Sequence, residues 1–141
     1  MRMEDHSKQQ TILIVEDNDD DFLFTRRAFT MAQCSNPLHR VHDGQEALDF
    51  LEHTKPSMIL LDINMPGLNG YDFLEQRNQM PELRRIPVIV LTTSDDPQDI
   101  AQCYQMGANS YIHKPVTMQG FVEAIARLKD YWFQISLLPG N

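Results

Sequence analysis

Short apolar runs alternate along the chain with longer stretches in which apolar residues recur every three or four positions. Thr11 to Val15 is β-branched and apolar and reads as a first strand. From about Asp20 to Ala32, Phe22, Arg26 and Phe29 recur at helical spacing behind an acidic start, which suits a helix N-terminus. Leu38 to His42 alternates weakly, as a short strand at a sheet edge would. Asp43 is a good N-cap, with Glu46 three positions on, and Ala47, Leu48 and Leu51 carry a helix to about Thr54 before Lys55-Pro56 breaks it. Met58 to Leu61 is a continuous apolar run closed by Asp62 and then by Asn64, Pro66 and Gly67, the pattern of a buried strand ending in a turn.

The second half repeats the theme. Tyr71 to Gln79 predicts a helix, with Leu74 sharing a face with Tyr71 and Asn78, and Pro81 and Pro87 bracket a loop that holds Arg84 and Arg85. Val88 to Leu91 is a fourth strand ending in Thr92, Thr93 and Ser94. Asp95-Asp96-Pro97 opens a helix that runs to about Met106 and stops at Gly107. Ser110 to His113 is a fifth strand, followed by Lys114-Pro115. Met118 to about Leu137 places Phe121, Ile125, Leu128 and Trp132 on one stripe of a long amphipathic helix. Strand and helix alternate five times with no hairpin signal, which implies an α/β fold with a parallel sheet covered on both faces. Residues 1–10 are expected to be a flexible tail, residues 11–130 one domain, and residues 131–141 a C-terminal helix extension and tail.

Composition narrows the function. A chain of 141 residues that is 42% hydrophobic can bury a full core without disulfides. Cys34 and Cys103 show no metal or redox spacing and read as free thiols in a reducing compartment. No stretch is apolar enough to span a bilayer and the N-terminus lacks a signal-peptide core, so a cytoplasmic location with no membrane partner is expected. A net charge of −8 argues against direct contact with nucleic acid. The charge is uneven: Glu16, Asp17, Asp19, Asp20 and Asp21 crowd one segment. A cation site and a solvated helix start both fit such a cluster, and the solvated start is preferred for Asp19 to Asp21.

Each strand but the second ends in a polar residue with chemical potential. The first leaves Glu16 and Asp17, the third Asp62, the fourth Thr92 and the fifth Lys114. In a parallel α/β sheet these ends share the edge where ligands bind. If the first and third strands are neighbours, three carboxylates meet, and like charges that close need a cation. Carboxylates without His or Cys ligands favour a hard ion such as Mg²⁺. An aspartate can serve as a nucleophile and form an acyl phosphate, with Mg²⁺ and a lysine offsetting charge on the transferring group and a threonine hydroxyl binding one of its oxygens.

Ile-Val-Glu16-Asp17, Leu-Leu-Asp62-Ile-Asn-Met-Pro-Gly-Leu-Asn-Gly70, Val-Leu-Thr92 and Lys114-Pro115 stand in the order and spacing of a known family. The chain resembles the receiver domain of bacterial two-component response regulators from about Thr11 to Leu128. The resemblance implies a flavodoxin-like (βα)5 fold with sheet order 2-1-3-4-5. It implies that Asp62 accepts a phosphoryl group from a histidine kinase. Glu16, Asp17, Asp62 and the backbone carbonyl of Asn64 would bind Mg²⁺. Thr92 and Lys114 would bind phosphoryl oxygens, Thr92 and Tyr111 would form the switch, and the bond before Pro115 would be cis. Activation would remodel the surface of the fourth helix, fifth strand and fifth helix. The segments Asp-Asp-Asp21-Phe-Leu and Asp130-Tyr-Trp132-Phe133, followed by Leu-Leu-Pro139, look like the stand-alone regulators paired with phytochromes. Members of that group dimerise through their C-terminal face, which makes Trp132 and Phe133 dimer candidates and a homodimer the expected assembly. No DNA-binding segment follows, so an indirect output is expected, from a phosphoacceptor signalling protein rather than an enzyme.

Rival readings fail on particular residues. A haloacid-dehalogenase-like phosphatase needs a second aspartate where Asn64 stands. A flavodoxin-like cofactor binder needs a neutral phosphate loop where Glu16 to Asp19 would repel phosphate. A Ca²⁺ loop from Asp17 meets Phe22 where glycine is required and Ala28 where the bidentate Glu belongs. A binding-only pseudo-receiver would lack one of the acids or the lysine, and all are here. The five histidines show no ligand spacing.

Overall fold

The computed structural model describes residues 11–63, 70–93, 96–114 and 117–136, with side chains as far as residue 130. Five strands form one parallel sheet: β1 (Ile12–Val15), β2 (Leu38–Val41), β3 (Met58–Asp62), β4 (Val88–Thr92) and β5 (Ser110–His113). Their order is β2-β1-β3-β4-β5, with β2 on the expected edge. The helices are α1 (Asp19–Met31), α2 (Gly44–Leu51), α3 (Gly70–Asn78), α4 (Pro81–Arg84), α5 (Pro97–Gln105) and α6 (Met118–Ser136). This is the flavodoxin-like receiver fold. Among the described residues no helix is long and apolar enough to cross a membrane.

Strand alternation divides the core between the two faces. Leu13, Val15, Ile59, Leu61, Val88 and Val90 point to one side and pack with Ala47, Leu51, Phe73, Leu74 and Cys103 of α2, α3 and α5. Ile12, Ile14, Leu60, Ile89 and Leu91 point to the other and pack with Ala28, Phe29, Phe121 and Ile125 of α1 and α6. Period-2 strands buried on both faces require the near-continuous apolar runs that the sequence carries.

Several local features differ from the sequence reading. The segment between Pro81 and Pro87 contains the single-turn helix α4, begun by Pro81 at its first position, where a missing N–H costs nothing. The helix after Asp43 ends at Leu51, three residues early. Its N-cap is as expected: the Asp43 side chain accepts from Glu46 N at 2.9 Å, while Glu46 Oε1 reaches back to His42 N at 2.8 Å, one residue beyond a capping box. In α3 the inward face is Gly70, Phe73, Leu74 and Arg77, rotated from the Tyr71–Leu74–Asn78 stripe. The cap of α1 is Asn18, whose Oδ1 accepts from Asp21 N at 2.9 Å.

Candidate functional site

The sheet register brings the site together. Val15 pairs with Leu61 across β1 and β3, so Glu16 and Asp62 leave adjacent strands side by side. Both lie on the α1–α6 side by alternation and both are buried. Oxygens of Glu16, Asp17 and Asp62 all lie within 4.8 Å of one another, with Asp17 exposed. That donor set, all carboxylate and open on one side, is able to hold a divalent hard cation.

The electrostatics are those of a site waiting for positive charge. Burial, then the charge of Asp62, pushes the Glu16 carboxyl up to about 8, although the Asn18 N–H and Lys114 pull it down. Lys114 supplies the cation of the described site. Its Nζ lies 2.9 Å from Asp62 Oδ2, 3.7 Å from Asp21 Oδ2 and 3.9 Å from Glu16 Oε1. Burial alone would lower the lysine pKa. The hydrogen bond to Asp62 and the three acidic charges outweigh it, and the ammonium is held charged. Lys114 is placed by its backbone, whose N–H donates to Thr92 O at 2.7 Å and so extends the β4–β5 ladder by one residue.

Thr92 is buried at the end of β4, opposite His113 of β5. Alternation turns it to the α2–α5 face, away from the side of Glu16 and Asp62. Tyr111 is on that same face, opposite Val90, and packs against the α2–α5 core. Its ring meets that of Tyr104 of α5 edge-on, with centroids 6.2 Å apart and planes at 82°. Asn64 and Pro115 lie outside the described residues. Trp132 and Phe133 fall in the last turns of α6, and their side chains lie outside them as well.

The acidic segment divides in a way the sequence did not reveal. Glu16 and Asp17 join Asp62. Asp19 forms an ion pair with Arg40 Nη1 at 2.7 Å. Asp21 turns to Lys114. Arg40, on β2, also donates from Nε to Glu16 O at 2.9 Å and lies over the Phe22 ring at 5.1 Å, pinning the β1–α1 loop. Its signal was an arginine on the same face as Leu38 and His42, opposite His39 and Val41, on a strand beside β1. Arg77 was missed because its charge hid an inward position three residues after Leu74. Gly70 was noticed only as motif. A Cβ there would lie 2.6 Å from Ile63 Cα, so only glycine lets α3 start against the residue after Asp62.

Residues 12–126 match the model of the response regulator receiver domain. The chain is 34% identical over 135 residues to the probable methanogenesis regulatory protein FilR2 of Methanothrix harundinacea, covering 92% of this chain and 87% of that one. It is 30% identical over 137 residues to response regulator Rcp1 of Synechocystis, covering 92% and 93%. The Mn²⁺-bound crystal structure of Rcp1 superposes with a TM-score of 0.78 over 93% of this chain and 99% of that one. The phosphorylated cyanobacterial phytochrome response regulator RcpA superposes with a TM-score of 0.80 at 30% identity, over 94% and 99%. With a family model matched over residues 12–126 and relatives at 30–34% identity over nearly their whole length, the chain belongs to the response regulator receiver domains, the signalling partners of histidine kinases in two-component systems.

Proposed function

We propose that Asp62 accepts a phosphoryl group from the phosphohistidine of a histidine kinase in a Mg²⁺-dependent step, and that the modified site switches a partner or dimer surface. The observation that carries this reading is Lys114 Nζ at 2.9 Å from Asp62 Oδ2, beside three carboxylates that share one small volume. An Asp62 oxygen attacks phosphorus. The P–N bond breaks as the P–O bond forms, and the electron pair leaves with the imidazole, which takes up a proton. Lys114 then shifts from the carboxylate to a phosphoryl oxygen, and the Thr92 hydroxyl binds another. Glu16, Asp17 and Asp62, with the Asn64 carbonyl, are the groups to hold Mg²⁺, which when bound neutralises charge on the transferring group.

The switch follows from side. Thr92 must turn its hydroxyl from the α2–α5 face towards Asp62. Tyr111, on the face Thr92 leaves, follows inward and gives up its edge contact with Tyr104. The remodelled surface is α5, β5 and α6, in the domain formed by residues 11–130. The Lys114-Pro115 bond is taken as cis, as the family resemblance implies. For the input, the likeness to a phytochrome response regulator supports a phytochrome kinase, acting in the cytoplasm. For the output, homodimerisation through Trp132 and Phe133 at the end of α6 suits an apolar helix end.

The direct test is exposure to acetyl phosphate with and without Mg²⁺, read on a phosphate-affinity gel. A retarded band is expected only with Mg²⁺, and none in Asp62→Asn. A band in that variant, or one independent of Mg²⁺, overturns the reading. Phosphotransfer from a phosphorylated phytochrome kinase, set against a kinase of another input class, tests the input. Sedimentation of the parent and of Trp132→Ala, each with and without phosphorylation, tests the dimer, and a monomer throughout counts against it.

A further inference from the structure

Of the acids that open α1, Asp21 has an unexplained position. Asp19 spends its charge on Arg40. Asp20 is exposed. Asp21 alone turns into the site, with Oδ2 3.7 Å from Lys114 Nζ and its side chain 53% exposed. It stands on the rim of a cavity of about 370 Å³ between α1 and α6, with Glu16 and Lys114, above walls formed by Phe24, Leu91 and Phe121. Its backbone N–H is held by the Asn18 cap, which fixes where the carboxylate starts from.

We propose that Asp21 is a specificity-determining residue for the phosphoryl donor, a fixed negative charge at the mouth of the site that disfavours small free anionic donors. This rests on the phosphoacceptor reading of Asp62. Asp21 and Asp62 touch the same ammonium, so they lie within the ~8 Å screening length of physiological salt. An incoming phosphoryl dianion meets that carboxylate at the open side, where Glu16 and Asp62 are buried and Lys114 is already shared. Asp21 also holds part of the ammonium that the phosphoryl oxygens need. Both effects raise the barrier for a donor that carries only negative charge. A donor presented on a protein surface with its own cations offsets the Asp21 charge and is not penalised in the same way.

The experiment compares initial rates of Asp62 phosphorylation by acetyl phosphate at saturating Mg²⁺ in the parent, Asp21→Asn, Asp21→Glu and Asp20→Asn, at low ionic strength and in near-molar salt. Asp21→Asn is expected to react about three- to tenfold faster than the parent at low ionic strength, with the gap closing in salt. Asp21→Glu keeps the parent rate, and Asp20→Asn changes it much less than Asp21→Asn does. Asp21→Asn at or below the parent rate, or a gain that salt leaves intact, overturns the proposal, because a purely steric or helix-stability effect is not screened. A parent that is not labelled at all, or labelled away from Asp62, overturns the phosphoacceptor reading instead.

Discussion

Lys114 Nζ donates to Asp62 Oδ2 at 2.9 Å although their strands are not neighbours. β4 lies between β3 and β5, and the contact passes over the end of that middle strand. It needs a side chain as long as lysine and a strand end one residue past the last pair of β4, which the Lys114 N–H to Thr92 O bond provides. In the metal-free protein this ammonium offsets the charge of the buried Asp62, while a proton held by Glu16 relieves the rest of the repulsion. Lys114→Met is expected to lose about 1–3 kcal/mol of stability in a chelator. Added Mg²⁺ should recover most of the loss, since it neutralises the same charges. Urea denaturation with and without Mg²⁺ measures both, and an equal loss in the two conditions would argue for lost packing alone.

Metal affinity should depend on pH through Glu16. Its carboxyl is raised to about 8 by burial and then by Asp62, against an ordinary value of 4.5. Between those values the metal-free folded state holds a proton that the unfolded chain has released, so this group's contribution to stability falls as pH rises through the window. A bound cation must displace that proton. Apparent Mg²⁺ affinity should therefore rise by up to about tenfold per pH unit below 8 and level off above it. Isothermal titration from pH 6 to 9 in buffers of different ionisation enthalpy reads the affinity and the released proton together. A flat profile would mean that Glu16 is ionised before the metal arrives.

Arg77 is buried without a carboxylate partner among the described residues. Its guanidinium donates to Gly107 O at 3.1 Å, Arg84 O at 3.1 Å and Ile86 O at 2.5 Å, tying the end of α3 to α4 and to the turn between α5 and β5. Gly107 takes a φ of 103°, and a Cβ there would lie 2.7 Å from Arg77 Nη1. Arg77→Met leaves three carbonyls without their donor and should cost about 2–4 kcal/mol by equilibrium unfolding. The acidic site is on the other side of the sheet, so Mg²⁺ affinity of the folded fraction should stay within about twofold of the parent, consistent with additivity at a distance.

Gly70→Ala should damage stability and site together. The added methyl meets Ile63 at both backbone and side chain, and Ile63 follows Asp62 directly. Moving either partner costs packing, and about 1–3 kcal/mol is expected. Moving Ile63 also displaces Asp62, so Mg²⁺ affinity should fall in the same variant. A loss of stability with unchanged affinity would show that α3 gives way rather than the strand end.

Much of this molecule is determined by sequence alone. Three apolar runs and two more mixed ones of strand length, separated by helical spacing, leave a parallel sheet as the natural way to bury both faces, and parallel strands put Glu16, Asp17, Asp62, Thr92 and Lys114 at one edge whatever their order. Strand order and register had to come from the tertiary structure, because they depend on which runs pair. They decide that Glu16 and Asp62 are adjacent and that Lys114 reaches over β4. Long side chains were the least legible. An arginine or aspartate on a helix reads as solvated surface until a neighbouring element gives it a partner, as α4 and the Gly107 turn do for the buried Arg77, and as Arg40 and Lys114 do for Asp19 and Asp21, which stay exposed. Periodicity records which residues avoid water, and it is silent about partners that the fold supplies to polar groups from distant parts of the chain.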